Sequence, residues 1–183
     1  MRADLFPLMA KLAQYPDSDY FVHLEASLAA APQSEPLRRF AAAVAPESLT
    51  ELQELYTRTF DLNPVCAPEL GWHLFGETYE RGAFLVRMRQ ELSRHNITEG
   101  SELPDHLAHA LELVSRMSSQ DAEYFVVACL APAVHKMLLA IPGDNIFQTL
   151  LLAVRESLEH AFPDARDLEV PVTLTVLNEG AME

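Results

Sequence analysis

The chain has 183 residues, and nearly half of them are apolar; that is enough for one domain with a real core and excludes a disordered polypeptide. Its formal net charge of −14 excludes a surface built for nucleic-acid phosphates and favours basic partners. No apolar run reaches the ~18 residues of a membrane span, and no basic region precedes a long apolar stretch at the N-terminus.

Leu5, Leu8, Met9 and Leu12 recur at helical spacing, and Pro7 is tolerable in a first turn. Tyr15-Pro16-Asp17 breaks this helix. Tyr20, Phe21, Leu24 and Leu28 form the next stripe, ended by Pro32. Ser34 is placed to cap a helix carrying Leu37, Phe40 and Val44, which Pro46 stops. Ser48-Leu49-Thr50-Glu51 has capping-box spacing, and Leu52, Leu55, Tyr56, Thr59 and Phe60 follow on one face.

Asp61 to Gly76 is of a different kind. Pro64, Pro68, Gly71 and Gly76 oppose a long regular helix, yet Leu62, Val65, Leu70, Trp72, Leu74 and Phe75 make the segment apolar. Such a segment either packs down or presents a sticky surface. Helix resumes near Thr78, with Phe84, Leu85, Met88 and Leu92 inward, and a polar linker spans His95 to Pro104. Leu107, Ala110, Leu111, Val114 and Met117 mark the next helix, and Ser118 or Ser119 can cap its successor. From Phe125 to Ile141 that successor is apolar nearly all round, as a buried central helix is, and Pro132 should kink it. Asp144 is placed to cap a last helix carrying Ile146, Leu150, Val154 and Leu158.

After Pro163, Val170, Val172, Leu174 and Val176 alternate with Pro171, Thr173 and Thr175, a strand-like period. One strand makes no sheet, so the tail is an arm packed on the bundle or paired with another chain. The expected architecture is a single all-α domain of roughly eight helices over 1–163, followed by an extended tail over 164–183.

Chemistry-bearing motifs are few. No phosphate-binding GxxxxGK[ST] loop, GxSxG elbow or HExxH pair occurs, and no ExxH ligand pair of a di-iron bundle. Cys66 and Cys129 form no CxxC pair, and two lone thiols point to a reducing compartment, the cytoplasm.

The most informative stretch is Glu102-Leu103-Pro104-Asp105-His106-Leu107. Pro104 opens the preceding turn, and Asp105 can cap the next helix, so a carboxylate and an imidazole stand together at a helix start. That pair is a capping device or a binding site. Asp105, His106 and His109 also admit a second reading, a metal-dependent helical hydrolase. A third is a structural adaptor that dimerises through the C-terminal arm.

Three segments together resemble one family. Leu55-Tyr56-Thr57-Arg58-Thr59-Phe60-Asp61-Leu62-Asn63-Pro64, then Trp72-His73-Leu74-Phe75-Gly76-Glu77-Thr78 with Arg81-Gly82, then the Pro104-Asp105-His106 loop, follow one another in order. They are similar to tracts of nitrate reductase delta subunits, the NarJ group of the TorD/DmsD-type assembly chaperones. Leu12-Ala13-Gln14-Tyr15-Pro16 also fits. The resemblance implies an all-α, cytoplasmic, non-enzymatic chaperone, with no cofactor or metal of its own. Its implied partner is the basic, amphipathic N-terminal segment of a molybdoenzyme catalytic subunit, kept competent for molybdenum cofactor insertion. The residues it implies for peptide binding are Tyr56, Phe60, Asp61, Trp72, His73, Phe75, Glu102, Pro104, Asp105 and His106. No nucleic acid and no membrane insertion are expected, and the chain should be a monomer or weak homodimer. The mechanism expected is a greasy cleft between the Phe60–Phe75 stretch and the Pro104 corner, with Asp105 on an acidic rim and a neutral His106 beside it. Short members of the family serve other enzymes of the same type, so the client itself stays open.

Overall fold

Apolar stripes at helical spacing become helices through most of the chain. The computed structural model describes residues 2–166. In order they form α1 (Arg2–Leu12), α2 (Tyr20–Ala30), α3 (Glu35–Val44), α4 (Leu49–Tyr56), α5 (Leu70–Phe75), α6 (Tyr79–Arg94), α7 (Leu107–Arg116), α8 (Ser119–Phe125), α9 (Ala131–Ala140) and α10 (Ile146–Ala161). No strand occurs among the described residues, and the fold is all-α. The strand-like alternation from Val170 to Val176 lies outside the described residues, as does any pairing of that arm.

Caps set the helix starts. Ser34 accepts from the Leu37 N–H, and Ser48 with Glu51 completes a reciprocal capping box. Ser118 caps α8. At α10 the expected cap shifts by one residue: Asn145, rather than Asp144, accepts from the Phe147 N–H at 2.9 Å. The Asn145 amide also donates to Thr59 at 2.8 Å, an anchor that a carboxylate cannot supply.

Two helices widen into π turns. One, Thr57–Asp61, extends α4; the other, Val126–Leu130, joins α8 to α9. The second explains what happens at Pro132. The Ala131 N–H bonds the Val126 carbonyl, five residues back, so the register has already changed when the proline ring arrives. The Ser119–Ala140 run is long and apolar enough by length and composition to cross a membrane. Here its inner face is core: Phe125, Val126, Leu130, Val134 and Met137 are buried.

The core is continuous. Helix α1 lies along α7 and α2, and α10 lies against α3 and α9. Phe40, Tyr56, Phe60 and Phe147 stack through a chain of tilted and edge-on rings at its centre. Burying a large aromatic side chain of this kind contributes about 2–3 kcal/mol. Helix α5 packs on α6 and α9, so the short Pro- and Gly-bounded segment is held down on the bundle.

Candidate functional site

The corner forms where two irregular segments meet. The Leu70 N–H donates to the Asp105 carbonyl at 2.9 Å, and the Leu107 N–H donates to the Pro68 carbonyl at 2.8 Å. This is one isolated antiparallel bridge, Glu69 to His106, between the start of α5 and the start of α7. Prolines explain why backbone is free to pair here. Pro68 and Pro104 keep both segments out of helix, and each bonded group would otherwise be a buried orphan.

His106, not Asp105, is the N-cap of α7. Its Nδ1 accepts from the Ala108 N–H at 3.1 Å. The proton therefore sits on Nε2, which faces the Tyr56 hydroxyl at 3.4 Å. That hydroxyl donates to the Ala13 carbonyl at 3.2 Å, so α1, α4 and α7 share one buried polar relay. His106 is fully buried, and its pKa is pushed down to about 3, by burial first and then by the neighbouring His109. Burial is thus the leading cause that keeps this imidazole neutral.

Asp105 turns the other way. It is fully buried, and Oδ2 accepts from the Gly71 N–H at 2.8 Å. A Cβ at position 71 would stand 2.7 Å from that oxygen, 3.1 Å from Phe84 and 3.3 Å from Arg81. Only a glycine lets α5 come this close. Burial raises the Asp105 pKa, and the Gly71 N–H and Arg81 partly offset it. Burial likewise raises Glu69, with Asp105 pushing the same way and Arg81 opposing. Oδ1 of Asp105 and Nε of Arg81 are buried without a hydrogen-bond partner.

His109 is buried and its Nδ1–H donates to the Leu103 carbonyl at 2.9 Å, closing the loop before α7. His73 Nε2–H donates to the Ala67 carbonyl at 2.6 Å, and burial lowers its pKa. Lys136 of α9 caps the same helix by donating to the His73 carbonyl at 2.8 Å. The Arg81 guanidinium lies over the Trp72 ring, 5.4 Å from its centroid.

These positions divide the ten residues read from the sequence. Tyr56, Phe60, Pro104, Asp105 and His106 are buried, so among the described residues Asp105 does not stand on the rim of an open cleft. Trp72, His73, Phe75 and Glu102 are half-buried, and Asp61 is exposed. Among the described residues, surface hollows of about 360 and 250 Å³ stand out. One is lined by Tyr15, Gln53 and Arg58 among others, the second by Phe6, Met117 and Phe162 among others; neither adjoins Asp105.

What does remain at the surface is a mixed apolar and acidic face. Leu62 is 72% exposed, and Val65 and Leu103 are also exposed. Burial first raises the pKa of the Tyr56 hydroxyl, and the carboxylates of Glu102, Asp61 and Glu69 push it the same way. The hydrolase reading loses its basis: among the described residues no group of three His, Cys, Asp or Glu side chains converges to hold a metal. His106 and His109 both spend Nδ1 on backbone.

The sequence reading missed Gly71, Glu69 and Arg81 as members of this corner. Glu69 had a local signal, a carboxylate between Pro68 and Leu70. Arg81 was marked only as part of the Arg81-Gly82 tract of the resemblance, and its place over Trp72 depends on how α6 folds back on α5.

The family profile described as nitrate reductase delta subunit matches residues 25–137, more than half of the chain. The chain belongs to the nitrate reductase delta subunit family. The matched span contains the whole corner, from the α4 π turn through α5 and the start of α7 to α9. Two relatives are the nitrate reductase molybdenum cofactor assembly chaperones NarJ of Escherichia coli strain K12 and of Escherichia coli O157:H7. Each is 27% identical over 124 residues, covering 63% of this chain and 52% of the relative. The chain thus spans about half the length of the curated relatives it matches.

Proposed function

We propose that this protein is an assembly chaperone for a molybdoenzyme of the nitrate reductase type, a binding protein rather than an enzyme. It holds the N-terminal segment of the catalytic subunit and keeps that subunit competent for molybdenum cofactor insertion. The observation that carries the reading is the family match over 25–137, which encloses the corner of α5 and α7. The relatives named as molybdenum cofactor assembly chaperones point the same way.

The surface supports the chemistry of such a partner. A formal charge of −14 attracts a cationic segment, and the carboxylates of Asp61, Glu69 and Glu102 all act on the one Tyr56 hydroxyl. Leu62, Val65 and the half-buried Trp72 and Phe75 supply apolar area for the segment's greasy face. Tyr56, Phe60, Pro104, Asp105 and His106 act from beneath, as the frame that fixes this face. On this reading the protein works in the cytoplasm as a monomer or weak dimer, before the enzyme docks at a membrane.

Calorimetric titration with a synthetic peptide of the catalytic subunit's N-terminal segment tests it. The parent should bind, Trp72→Ala should weaken binding at least tenfold, and Glu102→Gln should reduce its salt dependence. No heat of binding to the parent, or equal affinity in all three proteins, overturns the reading.

A further inference from the structure

The hollow of about 250 Å³ lies at the end of α7 away from the corner. Its walls include Phe6 of α1, Val114 and Met117 at the end of α7, Ala122 of α8, and Phe162 and Pro163 just beyond α10. Phe6 and Phe162 stack there with their centroids 6.2 Å apart. At about 1.5 Å of rise per residue, α7 separates this hollow from the His106 cap by roughly 15 Å. The lining is apolar apart from Ser115, Ser119 and Glu123, and the volume is below the ~300–1,000 Å³ of small-molecule sites. It therefore suits one or two apolar side chains better than a small ligand. The chain itself brings such side chains close. The turn Pro163–Arg166 is pinned to the bundle, because the Ala165 N–H donates to the Phe162 carbonyl at 2.9 Å and Ala165 is buried. Residues 167–183 are thus tethered beside the hollow's own wall. Within them Val170, Val172, Leu174 and Val176 alternate with Pro171, Thr173 and Thr175. Extended backbone puts such alternate positions on opposite faces, here one aliphatic and one carrying the hydroxyls.

We infer that segment 170–176 docks its valine and leucine face into this hollow of its own chain, clamping α1 against the turn between α7 and α8. Length permits it: at ~3.6 Å per residue, the step from Arg166 reaches about 14 Å at Val170 and about 36 Å at Val176. Tethering favours it over exchange between two copies. A short link holds the segment at an effective concentration on the order of millimolar, far above that of a second copy in dilute solution. Pro171 also lacks the N–H with which a strand would pair with a neighbouring chain. The dock lies apart from the α5–α7 corner and does not rest on the chaperone reading.

Hydrogen exchange of the full chain, with its mass in solution, tests this. In the parent the amides of 170–176 should exchange at least tenfold more slowly than in a synthetic peptide of 167–183, while the protein sediments as a monomer. Val172→Asp with Leu174→Asp should return them to the peptide's rates and lower the melting temperature by about 5 °C. Thr173→Asp with Thr175→Asp, on the opposite face, should keep the protection. Ser115→Phe puts a ring in the hollow and should release the segment as fully as the Val172 and Leu174 pair does. Ser119→Phe, on another wall, carries that arm if Ser115→Phe does not fold. Trp72, the only tryptophan of the chain, should keep its emission throughout, since it belongs to the corner at the other end of α7. Peptide-like exchange in the parent overturns the dock. So does equal loss from both face pairs, or protection that survives a filled hollow. A dimer that the Val172 and Leu174 pair dissociates assigns the segment to a second copy and overturns the dock within one chain.

Discussion

The α3–α10 half and the α5–α7 corner are built on opposite terms. Phe40, Val44, Phe147, Leu150 and Val154 pack ring on ring and chain on chain. Ser34, which caps α3, reaches across to hydrogen-bond Glu156 of α10. The corner instead buries Asp105, His106 and His109, joins two loops by a single backbone bridge, and leaves Asp105 Oδ1 and Arg81 Nε unpaired. The first region supplies stability at little risk, because apolar packing is non-directional. The second gives up stability for fixed polar geometry beneath an acidic surface, the kind of local conflict expected at functional sites.

Substitutions can set these two regions against each other. Phe147→Ala strikes the ring stack and should cost about 3–5 kcal/mol of unfolding free energy, read by denaturant titration. A loss under 1 kcal/mol there would mean that the core does not depend on that stack. Gly71→Ala forces a methyl against the Asp105 carboxylate and should cost about 1–3 kcal/mol, even though alanine is the better helix former. It should also change Trp72 emission, which Phe147→Ala should leave alone; the reverse pattern would mean the two regions are one unit.

Acid separates the regions further. His106 has a folded pKa of about 3, far below the ~6.5 of an unfolded histidine. The unfolded chain therefore binds the extra proton first as pH falls. Stability from this group is fully present above pH ~6.5 and is lost downward at up to ~1.4 kcal/mol per pH unit until the folded value is reached. Asp105 and Glu69 run oppositely, since their raised pKa values favour the folded state when they are protonated. His106→Gln should flatten the loss between pH 6.5 and 4.5 in thermal melts recorded across that range. An unchanged slope would assign the acid sensitivity to other groups. The smallest effect belongs to Ser48→Ala, which removes a capping box far from the corner and should cost about 1 kcal/mol without altering Trp72 emission or peptide binding.

The legible part of this protein is its helices and their starts. Ser34, Ser48 and Ser118 work as caps because capping is local chemistry, a side chain and a backbone N–H within a few residues. The stripes through Leu37, Phe40 and Val44, or Leu150, Val154 and Leu158, are buried as their spacing requires. Where two neighbouring residues could serve, local chemistry did not choose: Asn145 over Asp144 and His106 over Asp105 were decided by what the rejected or chosen side chain could reach elsewhere in the fold. Similarly, an apolar Asp61–Gly76 segment permits both a packed and a sticky outcome, and the structure takes both, burying Leu70 while exposing Leu62 and Val65.

Sequence alone settled the fold class and the acidity, because periodicity and charge are sums over residues that no packing arrangement can change. It also marked out Pro104-Asp105-His106 and Trp72 as the residues to examine. Only the tertiary structure decided that the carboxylate is sealed under Gly71, that the imidazole holds three helices together, and that Arg81 covers Trp72. Those outcomes depend on contacts between residues nine to fifty positions apart, for which no local pattern carries information, and on a glycine whose missing side chain admits the neighbouring segment.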